Sequence, residues 1–511
     1  MKGNALKFLI TASVLVLLAA PSYAQVAGTA VQGAGSTTGT SAQAPATPPL
    51  PDPTQAQAEN PANNPADPPT PPSEELSQPD TLKDQGTQTT SGAECVTSLS
   101  EITKIREPEF STGNVWDIVY SEGGMDVFAD AVPLENDEIV AGGAFTKDPE
   151  DKIYHPLLVK YDERLKPVWE VRTDTKELQT IHRIIKTKDG FTVLGDMNVS
   201  GQGAGIYIGS YDNDGKVKGK PAPLFEAGGD LDAKAFVQAS DGSGYVIAAQ
   251  FIDSKDQEKQ YGILYKISRA GKQVWKRTFK TGRSTVFNNV QATLDGNYAV
   301  TGQIVMEGNK SGGWLLKVDQ NGAIQWQRTY PRGVAASLQA AGQTKEGEFI
   351  LTGKTRPFDY QGKGLGAWVM KTDSIGNPLW QRFFVGAYTY EAPDLVVYED
   401  GRASVLVNGG ALDSQRRSHA RLITFSPLGQ IHHLEDFTEG QNAASHRLVS
   451  GLGGERILVG YTQTSFGEKQ ETNEAGAAPD YTFDGWLMAA SPLDLYEDPC
   501  KTKPSVSPIL P

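Results

Sequence analysis

The chain has 511 residues and a formal net charge of −14, with 61 acidic and 47 basic side chains. A nucleic-acid surface needs a basic patch, so this balance and the lack of a dense Lys/Arg cluster exclude a nucleic-acid partner. The chain contains only two cysteines, Cys95 and Cys500, and they lie too far from any histidine group to form a zinc site.

The first residues have the pattern of a secretory signal. Lys2 and Lys7 precede an apolar stretch over 8–20, and small residues follow up to Ala24. The pattern predicts a cleaved signal peptide over 1–24 and a periplasmic or secreted product. Because the apolar run is short for a bilayer span, an uncleaved anchor is the less favoured alternative, and no transmembrane segment is expected after cleavage.

Three further segments follow from composition. Residues 25–92 are rich in Pro, Ala, Thr and Gln and poor in large apolar side chains, which predicts a disordered linker. The tail over 501–511 is predicted to be disordered too. Residues 93–500 form the predicted folded part, with Cys95 and Cys500 near its two ends. Since export leads to an oxidising compartment, we expect one disulfide between them, with two unpaired thiols as the alternative.

The folded part repeats with a period of about fifty residues. GILYKISRAGKQVWKR over 262–277 is followed by GWLLKVDQNGAIQWQR over 313–328 and AWVMKTDSIGNPLWQR over 367–382. Each unit contains four short strand-like runs, and the first two are joined by an acidic-Gly turn that supplies the positive φ of a tight hairpin. Such turns occur at Asp189-Gly190, Asp241-Gly242, Asp295-Gly296, Glu346-Gly347 and Asp400-Gly401.

Seven such units predict an all-β fold, a seven-bladed β-propeller of four-stranded blades. An extra fourth-strand pattern over 114–120 precedes the first unit, whereas the last unit ends after its third strand over 484–490. We therefore expect the N-terminal strand to complete the last blade, which removes open sheet edges. Tryptophans fall on two repeat positions only, so they are interpreted as packing residues rather than a ligand cage.

The pattern Leu-Lys-Val-Asp-x-x-Gly-x-x-x-Trp resembles the tryptophan-docking repeats of the quinoprotein-like propeller superfamily. The resemblance covers the third and fourth strands of about four blades. It implies the propeller fold. The chain lacks the vicinal cysteine pair of the quinone dehydrogenases and has seven units where they have eight. No cofactor or partner residue can be carried over, and no cofactor is predicted.

Catalytic and metal motifs are absent from the sequence. The chain has no Gly-x-Ser-x-Gly elbow, no His-Glu-x-x-His and no phosphate loop. Asp212-Asn213-Asp214-Gly215 resembles part of a calcium loop, but it occupies a repeated turn position and lacks the distal Glu, so a turn is the preferred interpretation. No catalytic or metal residue is therefore assigned, and whether the protein is an enzyme stays open, with a non-catalytic role favoured.

The connections between strands predict which face of the propeller binds a partner. Those between second and third strands are long and varied, and insertions on one face of a repeat array are typical of a binding surface. Aromatic and Arg residues are the usual interface anchors, and we expect exposed ones at Phe358, Tyr360, Tyr388, Tyr390, Arg416, Arg417, Phe466 and Tyr481.

These patterns favour a non-catalytic binding or scaffold propeller of the bacterial cell envelope, with a protein or glycan partner on the long-loop face. The alternative is a carbohydrate-active enzyme with a site at the mouth of the central channel. A quinone-dependent oxidoreductase is a third, less favoured hypothesis.

Overall fold

The computed structural model describes most of the repeats and not the two ends of the chain. The described residues are 102–105, 114–147, 153–173, 177–306, 308, 310–331, 333, 335–358, 360–362, 364–386, 388–410, 418–437, 443–463 and 483–494. The signal at 1–24, the linker at 25–92, the tail at 501–511 and both cysteines lie outside these residues. The expectations about them remain predictions.

The described residues form seven β-sheets arranged as a seven-bladed propeller, as the repeat predicts. The chain begins with β1 (Ile102–Lys104) and β2 (Asn114–Tyr120). Blade 1 contains β3 (Met125–Pro133), β4 (Ile139–Thr146), β5 (His155–Tyr161) and β6 (Pro167–Arg172). A short 3-10 helix, Glu135–Asp137, joins its first two strands.

Blades 2 to 4 follow in order. Blade 2 contains β7 (Arg183–Thr187), β8 (Gly190–Val199) and β9 (Gly203–Tyr211). Blade 3 contains β10 (Gly229–Gln238), β11 (Gly244–Asp253), β12 (Gln260–Ser268) and β13 (Gln273–Phe279). Blade 4 contains β14 (Ser284–Ala292), β15 (Tyr298–Val305), β16 (Ser311–Val318) and β17 (Ile324–Tyr330).

Blades 5 to 7 complete the ring. Blade 5 contains β18 (Ser337–Gln343), β19 (Phe349–Thr355), β20 (Gly366–Thr372) and β21 (Pro378–Val385). Blade 6 contains β22 (Thr389–Val397), β23 (Ala403–Gly410), β24 (His419–Phe425) and β25 (Ile431–Phe437). Blade 7 contains β26 (Ala443–Ser450), β27 (Arg456–Thr462) and β28 (Asp484–Ala490), and β2 pairs antiparallel with β28.

Two blades depart from the four-stranded pattern. β1 pairs in parallel with β21 and gives blade 5 a fifth strand, which the repeat did not predict. In blade 2 the fourth place is taken by an irregular segment, in which Ala222 and Leu224 donate backbone hydrogen bonds to Ile208 and Ile206 of β9. Pro221 and Pro223, which flank Ala222, have no N–H, so this outer edge lacks two donors that a further strand would need.

Tryptophans of the fourth strands join neighbouring blades along the outer edge. The indole N–H of Trp380 donates a 3.2 Å hydrogen bond to the carbonyl of Pro427, in the turn between β24 and β25. Its ring lies over Gly429, whose φ of 82° is accessible to glycine at little cost and where a Cβ would approach the ring to 2.6 Å. Trp169 and Trp275 make the same bond to the next blade. The predicted packing role of these tryptophans is confirmed.

The third-strand tryptophans lie inside the blades. Trp314, Trp368 and Trp486 are buried, among the apolar faces of adjacent sheets. The predicted hairpin turns are also confirmed, since the glycines of the five acidic-Gly turns all have positive φ. The Asp212 carboxylate accepts hydrogen bonds from the backbone N–H groups of Asp214 and Lys216, which is the predicted turn geometry.

Candidate functional site

The innermost strands of all seven blades surround a central channel. They enclose a cavity of about 320 Å³, with backbone and side chains of β3, β7, β10, β14, β18, β22 and β26 in its wall. The wall combines apolar and polar residues and presents more polar than apolar surface to the cavity, and the charged residues in it are Asp130, Arg183, Asp394 and Arg447. This cavity is the candidate binding site of the ring, because several polar groups converge on one concave space of ligand size.

β-bulges in the inner strands determine where along the channel the charged residues lie. The register shifts after Phe128 in β3, after Glu391 in β22 and after Ser445 in β26, and equivalent shifts occur in β10, β14 and β18. A bulge locally bends a strand and redirects the side chain that follows it. The residues directly after these three bulges include Asp130, Asp394 and Arg447.

The cavity lies toward one face of the ring. Every strand of the wall except β7 contributes residues at or after its bulge, and this half of the strand runs toward the short turns between first and second strands. Arg183 and Ile184 at the start of β7 complete that wall. Among the residues that the structure describes, none from the long connections of the opposite face is in the lining of this cavity.

Arg447 joins the two channel carboxylates. Its Nη1 donates to Asp394 at 2.9 Å and its Nε to Asp130 at 3.2 Å, so one guanidinium connects blades 6, 7 and 1. Burial lowers the pKa of Arg447, but Asp394 and Asp130 outweigh this effect and raise the pKa above its usual value. The guanidinium is held charged between two carboxylates.

The two carboxylates also fix the backbone of the following blade. Asp130 accepts a 2.9 Å hydrogen bond from the backbone N–H of Ile184 in β7. Asp394 accepts one of the same length from Leu448 in β26. With these amides and Arg447 as partners, both carboxylates act as structural acceptors.

A carboxyl group with a raised pKa occurs elsewhere, between blades 2 and 3. Burial raises the pKa of Asp196 well above its usual range, and the nearby Asp232 adds to the rise. Asp196 accepts a 2.7 Å hydrogen bond from the backbone N–H of Ala233, and its Oδ2 lies 3.4 Å from Nε2 of His182. Burial also lowers the pKa of His182 to about 4.

This buried group packs two blades together and does not face the channel cavity. His182 and Asp196 are both buried, and neither lies in the cavity wall. The Nδ1 of His182 is 3.1 Å from the carbonyl of Ala233 and can donate to it. Thr180, His182 and Asp196 thus form an inter-blade hydrogen-bond network rather than a nucleophile with its base.

The predicted interface residues on the long-loop face are partly described. The connection from β19 to β20 contains Phe358 and Tyr360, and the connection from β21 to β22 contains Tyr388. The hydroxyl of Tyr360 donates a 2.6 Å hydrogen bond to the carbonyl of Gly386, which brings the two connections together. Phe358 is 62% exposed, whereas Tyr360 and Tyr388 are partly buried.

The expectation that Tyr390 is exposed is wrong. Tyr390 is 1% exposed and packs in the core between blades 5 and 6. Its backbone N–H donates to the carbonyl of Leu365, and its ring meets His419 edge-on at 6.3 Å. Because Tyr390 is the second residue of β22, strand alternation turns it inward. Arg416, Arg417, Phe466 and Tyr481 lie outside the described residues.

The charged residues of the channel were not predicted from the sequence. A signal was available: Asp130, Arg183, Asp394 and Arg447 are charged positions within otherwise mostly apolar first-strand runs. Within the described ranges, no cluster of three or more His, Cys, Asp or Glu side chains is placed to hold a metal ion. Within the same ranges there is also no helix with the length and apolarity needed to cross a membrane.

No protein-family model matches the chain, and no curated protein sequence matches it. Among solved structures, a protein of unknown function from Bacteroides caccae is similar at 12% identity and a TM-score of 0.34, over 55% of this chain and 89% of that one. A protein of unknown function from Dyadobacter fermentans is similar at 12% identity and a TM-score of 0.37, over 74% of this chain and 100% of that one.

Puromycin hydrolase is similar at 14% identity and a TM-score of 0.43, over 67% of this chain. The match spans about half of the hydrolase, 51% of that chain. Identities and scores this low carry no argument about activity or partner.

Proposed function

We propose that the protein is a non-catalytic binding or scaffold propeller of the bacterial cell envelope. In this proposal the signal at 1–24 exports the chain, the linker at 25–92 separates the ring from its N-terminus, and Cys95 and Cys500 form a disulfide. The ring belongs with the tryptophan-docking propellers, a relationship that the packing of Trp380 on the turn of the next blade supports.

The observation that carries the proposal is the placement of Phe358. This aromatic side chain is 62% exposed on the long-loop face, and aromatic residues are common anchors of interfaces. The hydrogen bond from Tyr360 to Gly386 holds the β19–β20 connection, which contains Phe358, against the β21–β22 connection. Buried Tyr390 packs in the core cluster against which Tyr388 of that second connection lies. A fixed aromatic anchor loses little conformational entropy when a protein or glycan partner binds.

The test compares two exposed apolar residues on opposite faces. Tagged wild-type protein, Phe358→Ala and Leu452→Ala are expressed in a bacterial envelope, cross-linked in place, purified and analysed for bound partners. Leu452 is the control because it is 65% exposed but lies in the short turn between β26 and β27. We expect Phe358→Ala to lose most of the partner recovered with wild type, by about tenfold, and Leu452→Ala to retain it.

Recovery of the same partners at the same yield with Phe358→Ala would count against the long-loop face as the binding surface. Because Phe358 is exposed, its truncation is not expected to change stability by more than about 0.5 kcal/mol. A thermal melt of each purified variant checks this point, so a loss of partner is not attributed to unfolding.

A further inference from the structure

Two arginines occupy equivalent positions in the channel but have different partners. Arg183 pairs with Leu194 in the sheet register of blade 2, one residue before Gly195. Arg447 pairs with Val459 in blade 7, one residue before Gly460. Both side chains line the central cavity. The repeat therefore presents two guanidinium groups at one level of the channel wall.

Arg447 has two carboxylate partners, whereas Arg183 makes no ion pair with any described residue. The hydrogen bond of Arg183 goes to the carbonyl of the preceding residue, His182, from Nη1 at 2.8 Å. A guanidinium has five N–H donors in a planar fork suited to a carboxylate or phosphate. Most of the donors of Arg183 are thus available to a molecule in the cavity.

The surroundings of Arg183 compensate its charge only in part. Burial and the positive charge of Arg447 lower the pKa of Arg183, although Asp130 and Asp394 act in the opposite direction. The two aspartates are already bonded to Arg447 and to backbone amides. An anion placed beside Arg183 would stabilise its charged form without breaking any of these bonds.

The rest of the cavity limits the size and kind of ligand. A volume of about 320 Å³ is at the low end of small-molecule sites, so the ligand is small. Asn289 of β14 lies in the same wall and adds an amide that can bond a second polar group. Phe236 and Leu395 are also among the lining residues, but their side chains are buried in the core clusters of the blades, so the surface that the cavity offers a ligand is mainly polar.

We propose that the channel cavity binds a small oxyanion compound, a carboxylate or a phosphate, through the guanidinium of Arg183. The site is separate from the partner surface around Phe358, and neither proposal depends on the other. Arg447, at the equivalent position, is a structural residue in this scheme, because its donors are taken by Asp130 and Asp394.

Calorimetric titration of the full mature protein tests the proposal with two probes, inorganic phosphate and succinate, at low ionic strength in a chloride-free buffer. We expect wild type to bind at least one probe saturably at one equivalent. Arg183→Gln should weaken this binding by at least about tenfold, the loss expected for a charge-assisted hydrogen bond. The probe that binds more tightly identifies the anionic group.

Arg164→Gln is the matched control, because Arg164 is an exposed arginine whose side chain is 76% accessible beside Glu163. It should bind like wild type. Absence of saturable binding for both probes would overturn the proposal, and so would equal affinity of wild type and Arg183→Gln. If Arg183→Gln does not fold, wild-type crystals soaked in selenate decide: an anomalous peak within hydrogen-bond distance of Arg183 supports the site, and no peak there overturns it.

Discussion

The outer edge of the propeller and its channel are built from the same repeat in different ways. At the outer edge, Trp169, Trp275 and Trp380 make one and the same bond to the turn of the next blade. At the channel, equivalent positions differ from blade to blade, and Arg183 and Arg447 share a position but not their partners. The tryptophans that recur from blade to blade hold neighbouring blades together. The residues that differ from blade to blade place charged groups in the channel.

Removing Arg447 should have the largest effect on the channel side of this comparison. Arg447→Met leaves Asp130 and Asp394, both almost fully buried, without their cation. Loss of one partner from a buried ion pair costs about 3–5 kcal/mol, so we expect the free energy of unfolding in guanidinium chloride to fall by about that amount. Arg164→Met, which removes an exposed pair, should change it by less than about 1 kcal/mol.

A fall of under about 1 kcal/mol in Arg447→Met would show that the aspartates do not need this guanidinium and that the channel contributes little to ring closure. Unfolding should be followed by both fluorescence and circular dichroism, because coincident curves are required before a single free energy is assigned.

On the outer edge, Gly429→Ala should have the next largest effect. The new Cβ would lie 2.6 Å from the ring of Trp380, and the backbone φ of 82° is unfavourable for alanine. We expect the free energy of unfolding to fall by about 2–3 kcal/mol. Gly201→Ala is the control, with a φ of 83° and open space around its Cβ, and should lose only about 1 kcal/mol.

The difference between the two glycine variants measures the contact with the tryptophan. Equal losses in Gly429→Ala and Gly201→Ala would mean that the ring of Trp380 moves aside freely, so that docking on the turn does not hold the blades together.

A smaller effect is expected in the pH dependence of stability. His446 is the extra residue in the bulge of β26, and burial lowers its pKa to about 4, despite the nearby Glu391. Between pH 6.5 and 4 the unfolded state therefore binds a proton that the folded state does not, so this group lowers stability as the pH falls. At pH 5.5 the contribution should be about 1–2 kcal/mol.

His446→Phe keeps a ring against Tyr461 and removes the titration. Denaturant titrations at pH 7, 5.5 and 4 should show a shallower decline for this variant than for wild type. Parallel declines of the two proteins would contradict the assignment of a lowered pKa to His446.

The outer edge could be predicted from the sequence because its determinants are local and recur. The recurrence of Trp314 in β16 and Trp368 in β20, and the acidic-Gly turns, predict strands and hairpins that the structure confirms. The repeat does not predict every local feature. β1 joins blade 5 by a parallel pairing that has no counterpart in the repeat. Leu165 adopts a φ of 61° at the turn position where blade 2 has Gly215.

The channel site could not be predicted in the same way. Its wall takes one or a few residues from each of seven strands far apart in sequence, so no motif marks it. The contrast between Arg183 and Arg447 depends on which carboxylates lie within reach after the ring is formed. Tyr390 illustrates the same limit, because one position along β22 decides whether its ring is buried or exposed.

The most direct test of this account compares Arg183→Gln and Arg447→Met in one series of guanidinium chloride unfolding curves. If Arg183 is a ligand-binding residue and Arg447 a structural one, Arg183→Gln should lie within about 1 kcal/mol of wild type, while Arg447→Met falls by about 3–5 kcal/mol. An equal loss of stability in the two variants would contradict the distinction between them.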